Sequence, residues 1–407
     1  MKPIYPSYKG LIMCGYQGWF RAEGDGSESG WGNYGNEGIF NSDNVTIDFW
    51  PDVSEYEKTY ETEFTNSDGS KAKVFSSYDE STSDLHFKWL KDYGIDGLFI
   101  QRFYAATKGK EYSKNQDTIL TNSLKASQKY EKAIAVMYDL SGLQGDKDDC
   151  QTIIEDWKRL VDELKILNFG NKQTYLHHNE KPLVAIWGVG FKDRLYDSKN
   201  IGLAELINFL KNDPQYGGCS VMLGVPTHFR TLEKDATPDP YLHELIESAD
   251  IILPWMVKRF SPFTQNVMEF IQDQVMADIK WSKERGVDYV PSVYPGFSWK
   301  NLSRLREGLD RTTIYGAIPR LGGQFYWDQM VTMINSGADM IYGAMFDEVD
   351  EGTAIFKISN TPPNNEKIKF VDNDGMPSDH YLWLTGEAKK MLINEIPVCE
   401  NMPTRSK

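Results

Sequence analysis

Residues 346–353 of the chain read FDEVDEGT, and the apolar run YGAMF leads into them. Asp347, Glu348, Asp350 and Glu351 thus crowd four carboxylates into five positions at the end of a hydrophobic segment. Like charges at such spacing repel, so the cluster costs stability unless something uses it. Paired carboxylates can cleave a glycosidic bond. One supplies a proton to the leaving oxygen and the other assists at the sugar, provided their environments push the two pKa values apart. Glu348 and Glu351 are three residues apart, which puts them on one face of a turn and on opposite faces of an extended strand. Gly352 favours the turn. Read by spacing alone, the cluster suits a catalytic pair, a solvated acidic loop or a metal-binding loop. It lacks the alternating Asp/Asn pattern and glycine of an EF-hand.

The elements that must position these acids alternate along the chain. Near-continuous apolar runs occupy residues 11–20, 95–103, 132–142, 182–191, 219–229, 250–257, 287–299 and 338–348. Runs of this kind suit strands buried on both faces. Between them lie stretches with helical spacing, for example Ile153, Ile154, Trp157, Leu160, Val161 and Leu164. Eight strands alternating with helices predict an α/β fold, a closed parallel (β/α)8 TIM barrel, with loop and hairpin insertions. The glycine-rich stretch GWFRAEGDGSESGWGNYG after the first strand is too long for a nucleotide-binding turn and has no helix directly behind it, so it reads as a substrate-shaping loop. Residues 60–77 carry a hairpin signature around NSDG, and residues 355–375 are read as a second hairpin. No linker or low-complexity tract interrupts the chain, so residues 1–407 are expected to form a single catalytic domain.

In such a barrel the site lies at the C-terminal ends of the strands. That rule selects Tyr16 and Trp19 from the first strand, Gln101 and Arg102 from the second, Asp139 from the third and Trp187 from the fourth. His228, Trp255, Tyr294 and Trp299 follow from the fifth to the seventh. Asp139 could equally cap a loop, while Asp48 and Asp52 read as structural or rim groups. Aromatic faces, hydrogen-bonding groups and carboxylates together suit a neutral polyhydroxylated ligand. The aromatic content of 13% is in keeping with sugar stacking, although about half of the tryptophans are assigned to the core on general grounds.

Composition sets the outer bounds. A net charge of -15 argues against nucleic-acid or anionic-lipid partners. No apolar run approaches the ~20 residues of a membrane span. Cys14, Cys150, Cys219 and Cys399 have no metal-ligand or CxxC spacing and are read as unpaired. No metal or cofactor is expected, and no GxSxG elbow points to a serine hydrolase. The N-terminus lacks the apolar core of a signal peptide. The chain is therefore either cytoplasmic or one whose leader has been removed, which would place it in the periplasm, at the cell surface or outside the cell.

The motifs GYQGWF, GIDGLFIQRF, KPLVAIWGVGF and DEVDEGT resemble glycoside hydrolase family 99, the endo-α-1,2-mannosidases and mannanases, and more closely its bacterial relatives often labelled xylosidase/arabinosidase. The resemblance runs from about residue 11 to residue 386. It implies a (β/α)8 barrel that cleaves α-mannosidic bonds with retention and without a cofactor. The family pattern Glu-Trp-His-Glu-Gly falls on Glu348, Val349, Asp350, Glu351 and Gly352, with Val-Asp in place of Trp-His. By resemblance, Glu348 is the base that deprotonates the sugar's own 2-hydroxyl, giving a 1,2-anhydro sugar. Glu351 is then the general acid, and afterwards the base for water. Two other readings are a non-catalytic glycan-binding barrel and a metal-dependent enzyme or lyase that uses the four acids as oxygen ligands.

Overall fold

The computed structural model describes residues 2–145, 149–363 and 365–405. Strand β1 (Ile12–Tyr16) is followed by a long excursion carrying the antiparallel hairpin β2 (Tyr60–Thr65) and β3 (Lys71–Val74). Helix α1 (Glu80–Tyr93) then leads to β4 (Gly97–Phe103), and α2 (Lys110–Tyr130) to β5 (Ala133–Asp139). Next come α3 (Gln151–Asp162), the short β6 (His177–His178), β7 (Lys181–Trp187), α4 (Leu203–Asn212) and β8 (Ser220–Pro226). Helix α5 (Tyr241–Ser248), β9 (Ile251–Trp255) and α6 (Val267–Glu284) precede a seventh strand in two pieces, β10 (Asp288–Tyr289) and β11 (Ser292–Val293). The chain ends through α7 (Lys300–Ser303), α8 (Gln324–Asn335), β12 (Ile341–Gly343) and α9 (His380–Leu392).

Every barrel pairing is parallel. The order runs from β10 through β9, β8, β7, β5, β4 and β1 to β12 and β11. Because β10 and β11 are two pieces of one strand, the ring closes into a (β/α)8 barrel. Pro291 explains the split: it has no N–H for the ladder, while its carbonyl still accepts from Tyr342 N at 3.0 Å. The eighth strand is shorter than expected from its apolar run, yet its bonding continues past Gly343. Ala344 N donates to Val293 O at 2.8 Å and Phe346 N to Gly15 O at 2.7 Å. The acid cluster therefore starts from a backbone tied to both neighbouring strands.

The hairpin of residues 60–77 is present as expected. The second expected hairpin is not: among the described residues of 355–375, residue 364 lying outside them, no strand forms. The two arms instead clasp the segment around Phe49, through Ser359 N to Trp50 O at 2.8 Å and Val371 N to Asp48 O at 2.7 Å. The two arms find their backbone partners in that segment rather than in each other. Helix α2 escapes the sequence pattern because its buried face includes Ser113, Asn122, Ser123 and Ser127 rather than only apolar residues. Most of those groups find partners, as in Ser127 Oγ to Thr174 Oγ1 at 2.6 Å and Ser113 Oγ to Asp117 at 2.9 Å. The cysteines are all free. No helix among the described residues is long and apolar enough to cross a membrane.

Alternation along β4 separates two residues that the sequence placed together. Gln101 points into the barrel, where its Nε2 lies 3.3 Å from Tyr342 Oη. Arg102 points outward to the helices and is 2% exposed. It pairs with Asp156 of α3 at 2.5 and 2.7 Å and with Asp117 of α2 at 2.9 Å. Arg102 therefore fastens two helices to the barrel and is not a cleft residue. Asp156→Ala would leave the buried Arg102 guanidinium with Asp117 alone, and we expect a loss of about 3 kcal/mol in urea unfolding. A change below about 1 kcal/mol would show that the pair does not hold the helices.

Candidate active site

The segment after β12 folds into the turn that the glycine implied. Thr353 N and Ala354 N both donate to the Glu348 carbonyl, at 3.1 and 3.0 Å. Gly352 sits at φ +67°, and a Cβ there would come within 2.8 Å of Phe49 and of Ser298 N. Only glycine fits both the left-handed backbone and the contact. Arg320 Nη2 donates to the carbonyls of Gly352 and Ala354 at 3.0 and 2.7 Å and thereby fixes the far side of the turn.

Each acid has its own surroundings. Asp347 is fully buried and accepts from the backbone amides of Gln17 and Gly18, both at 2.8 Å. Burial raises it to about 7 in spite of those donors. Glu348 is 4% exposed. Its carboxylate accepts from Gln17 Nε2 at 2.6 Å and from Thr353 Oγ1 at 2.7 Å, so each oxygen has one fixed donor. Burial pushes its pKa well above the ordinary range, and the charges of Glu351 and Asp350 add to the effect. Asp350 is 1% exposed, one of its oxygens has no partner, and burial together with Glu351 raises it to about 8. Glu351 is partly exposed and is also raised by burial, but Lys258, Arg306 and Arg194 pull it back down. Glu348 is thus the buried, clamped member of the pair, and Glu351 is the member open to the surface.

Behind the turn, the loop after β1 supplies the support. Asp48 is fully buried and accepts from Ser298 Oγ, and from Lys300 N and Asn301 N at 2.8 Å each. Burial raises it to about 6, the donors opposing. Ser298 N in turn donates to the Glu351 carbonyl at 2.9 Å. Asp48 is therefore structural, as read from the sequence, and acts on the site through Ser298.

The structure divides the remaining sequence-selected residues. Trp19, Trp187, Trp255 and Trp299 are partly exposed at the C-terminal ends of the strands. Trp19 stacks on Phe103 at 5.1 Å, and Trp187 meets Trp255 edge-on at 5.3 Å. Trp187 lies across β8 because position 224 is glycine; a Cβ there would come within 2.4 Å of the indole. Asp139, at the end of β5, accepts from Ser141 N at 2.7 Å, and burial raises its pKa. The loop-capping role is thus present at a strand end that also faces Arg194.

Three selections are corrected. Tyr16 is buried, with its hydroxyl 3.0 Å from His86 Nδ1, because its side chain turns to the layer between barrel and helices. Tyr294 is fully buried and donates to Phe260 O at 2.6 Å. His228 is held by Asp235 at 2.8 Å, in a separate cavity of about 390 Å³ lined by Arg230, Lys234 and residues of α6. Sequence reading places Gln17 at the rim without selecting it for the site, and omits Thr353, although both stand inside the motifs GYQGWF and DEVDEGT. It also omits Lys258, Arg194 and Arg306, which carry no motif. Among the described residues, no group of three or more His, Cys, Asp or Glu side chains converges as metal ligands would.

No family model and no curated protein matches the chain. Solved structures do. The GH99 endo-α-mannosidase of Bacteroides thetaiotaomicron, alone and in complex with BIS-TRIS propane, aligns with a TM-score of 0.64 in both cases. The alignment covers 95% of this chain and 98% of that one, at 16% sequence identity. Over nearly its whole length, the chain has the fold of that GH99 enzyme.

Proposed function

We propose that the chain is a glycoside hydrolase that acts within an α-linked glycan, of the α-mannan type, through Glu348 and Glu351. One observation carries the reading: a buried glutamate clamped by Gln17 and Thr353, beside a second glutamate open to the surface, at the catalytic end of a (β/α)8 barrel. The similarity to a GH99 endo-α-mannosidase supports it. Glu348 accepts the proton of the sugar's 2-hydroxyl, whose oxygen attacks the anomeric carbon as the glycosidic C–O bond breaks. Glu351 gives its proton to the leaving oxygen. Water, deprotonated by Glu351, then opens the 1,2-anhydro sugar, and Glu348 returns its proton to the 2-oxygen. Two inversions give net retention, and the 2-hydroxyl must lie trans to the leaving group, as in an α-mannoside. Trp19, Trp187, Trp255 and Trp299 offer ring faces to the sugars, with Gln101 and Asp139 below them.

The proton balance of the pair follows from its surroundings. Burial and two neighbouring acids raise Glu348, while three cations oppose the rise that burial imposes on Glu351. The reaction needs the proton on Glu351. The two groups titrate as a unit.

Product release from α-mannans, α-glucans and xylans tests the reading directly. We expect Glu348→Gln and Glu351→Gln each to lose about 10²–10⁴-fold in kcat/KM on the polymer that wild type cleaves. A substrate with a good aryl leaving group should restore the aryl-release step in Glu351→Gln but not in Glu348→Gln, since only the first lacks the proton donor. Glycan binding by a wild type that cleaves nothing in the panel would assign the barrel to recognition instead.

The pH dependence follows from the same pair. Activity falls on the acid side when both carboxyls are protonated and on the alkaline side when both are ionised. Both pKa values are raised, so the bell should lie above the ordinary carboxylate range of about 4. Asp350→Asn removes a charge that raises Glu348, so its alkaline limb should move to lower pH; an unmoved limb would refute the coupling. The same variant has a stability signature. Asp350 ionises near 4 when unfolded and at about 8 when folded, so folding loses stability as pH rises between these values. The asparagine should thus raise the melting temperature at pH 8 and leave it nearly unchanged at pH 4.

A further inference from the structure

Two cations beside the active site are held against aromatic rings. Lys258 Nζ stands 3.5 Å from the centre of the Trp299 ring and 5.2 Å from that of Phe297. The Arg194 guanidinium stands 5.0 Å from Trp187 and 5.4 Å from Phe191. Phe297 and Trp299 flank Ser298, which donates to the Glu351 carbonyl, and the charges of Lys258 and Arg194 both act on the Glu351 carboxyl. Among the described residues, neither cation forms a salt bridge with the acid cluster. Among the described residues, Arg194 has an ion pair only with the adjacent Asp193, at 3.9 Å, and its Nε is buried without a partner. Neighbouring cations are neutralised in the usual manner, Arg259 by Asp235 at 2.7 Å and Arg230 by Asp278 at 2.6 Å.

With a net charge of -15, the chain has carboxylates to spare, so two cations parked on ring faces retain donors for something else. A cation over an aromatic face is held by the ring quadrupole while its N–H groups stay unspent. Those donors match an oxyanion, which a guanidinium and an ammonium bind by charge-assisted hydrogen bonds. We propose that the cleft takes a glycan bearing an anionic substituent, a carboxylate, sulfate or phosphate, on a sugar close to the scissile bond, bound by Lys258 and Arg194. This substrate class rests on the hydrolase reading for the bond that is cut, but not for the binding itself. If the two cations served only to keep Glu351 ionised, neutral and anionic glycans would bind alike.

Calorimetric titration of the full chain separates these outcomes. The ligands are α-manno-oligosaccharides of one length, either neutral or carrying a single uronate, 6-sulfate or 6-phosphate. At low salt, one of the anionic forms should bind at least about tenfold more tightly than the neutral one, an advantage that shrinks with added sodium chloride. Which arm gains identifies the oxyanion. Lys258→Met and Arg194→Gln should each remove most of that advantage, and Lys258→Arg should keep it. Affinities within about twofold for neutral and anionic forms, or an advantage that survives both neutral variants, would overturn the proposal. So would the absence of any anionic binding at about 1 mM ligand. Reducing-end release from the same oligosaccharides keeps the two readings apart. Hydrolysis indifferent to charge would sink the anion site and leave the hydrolase, whereas charge-dependent binding without release would do the reverse.

Discussion

Burying carboxylates at the end of one strand is the constraint around which the upper face of this barrel is arranged. An ionised carboxylate in the interior costs several kcal/mol unless donors or cations meet it. Three of the four acids after β12 are at most 4% exposed, so the surrounding chain has to answer each of them. Backbone amides of the β1 loop answer Asp347, side chains on either side answer Glu348, and protonation itself answers much of Asp350. The donors to Asp347 and Glu348 come from the first strand's exit as well as from the turn. Closing the barrel between β1 and β12 is therefore the same event as assembling the site.

That dependence explains the long excursion after β1. Asp48 gathers Ser298 and the start of α7, Phe49 fills the space left by Gly352, and the arms of residues 355–375 clasp the same segment. The turn carrying Glu348 and Glu351 is held by backbone bonds on one side and by Arg320 on the other. A pair of carboxylates fixed in this way keeps its geometry through changes of charge. The residual freedom lies at the open side, where Glu351 meets aromatic rings and cations rather than a tight set of hydrogen bonds.

The two glutamates show how one short peptide produces unlike groups. They differ by three positions, yet one is sealed under Gln17 and Thr353 and the other faces Lys258, Arg194 and Arg306. Burial without compensation raises an acid, and nearby cations lower it. The difference in environment, not in residue type, separates the roles open to them.

The alternation of buried runs and helical stretches was enough to read eight barrel strands, because strands covered on both faces must be apolar throughout. Gly352 after four crowded acids was enough to read a turn, because glycine tolerates the left-handed backbone such a turn needs. Periodicity was silent about α2, whose buried face is rich in serine. It also could not tell Arg102 from Gln101: adjacent residues of a strand point to opposite faces, and only the barrel decides which face is the inside. Tyr16 and Tyr294 reached the core, and His228 a separate cavity, by the same kind of choice. Lys258, Arg194 and Arg306 come from three different loops, and no local pattern marks them. The sequence by itself determined which groups lie at the strand ends and that acids would crowd there. Tertiary structure decided which of those groups share one cleft and how each acid holds its proton, because both depend on neighbours brought from distant parts of the chain.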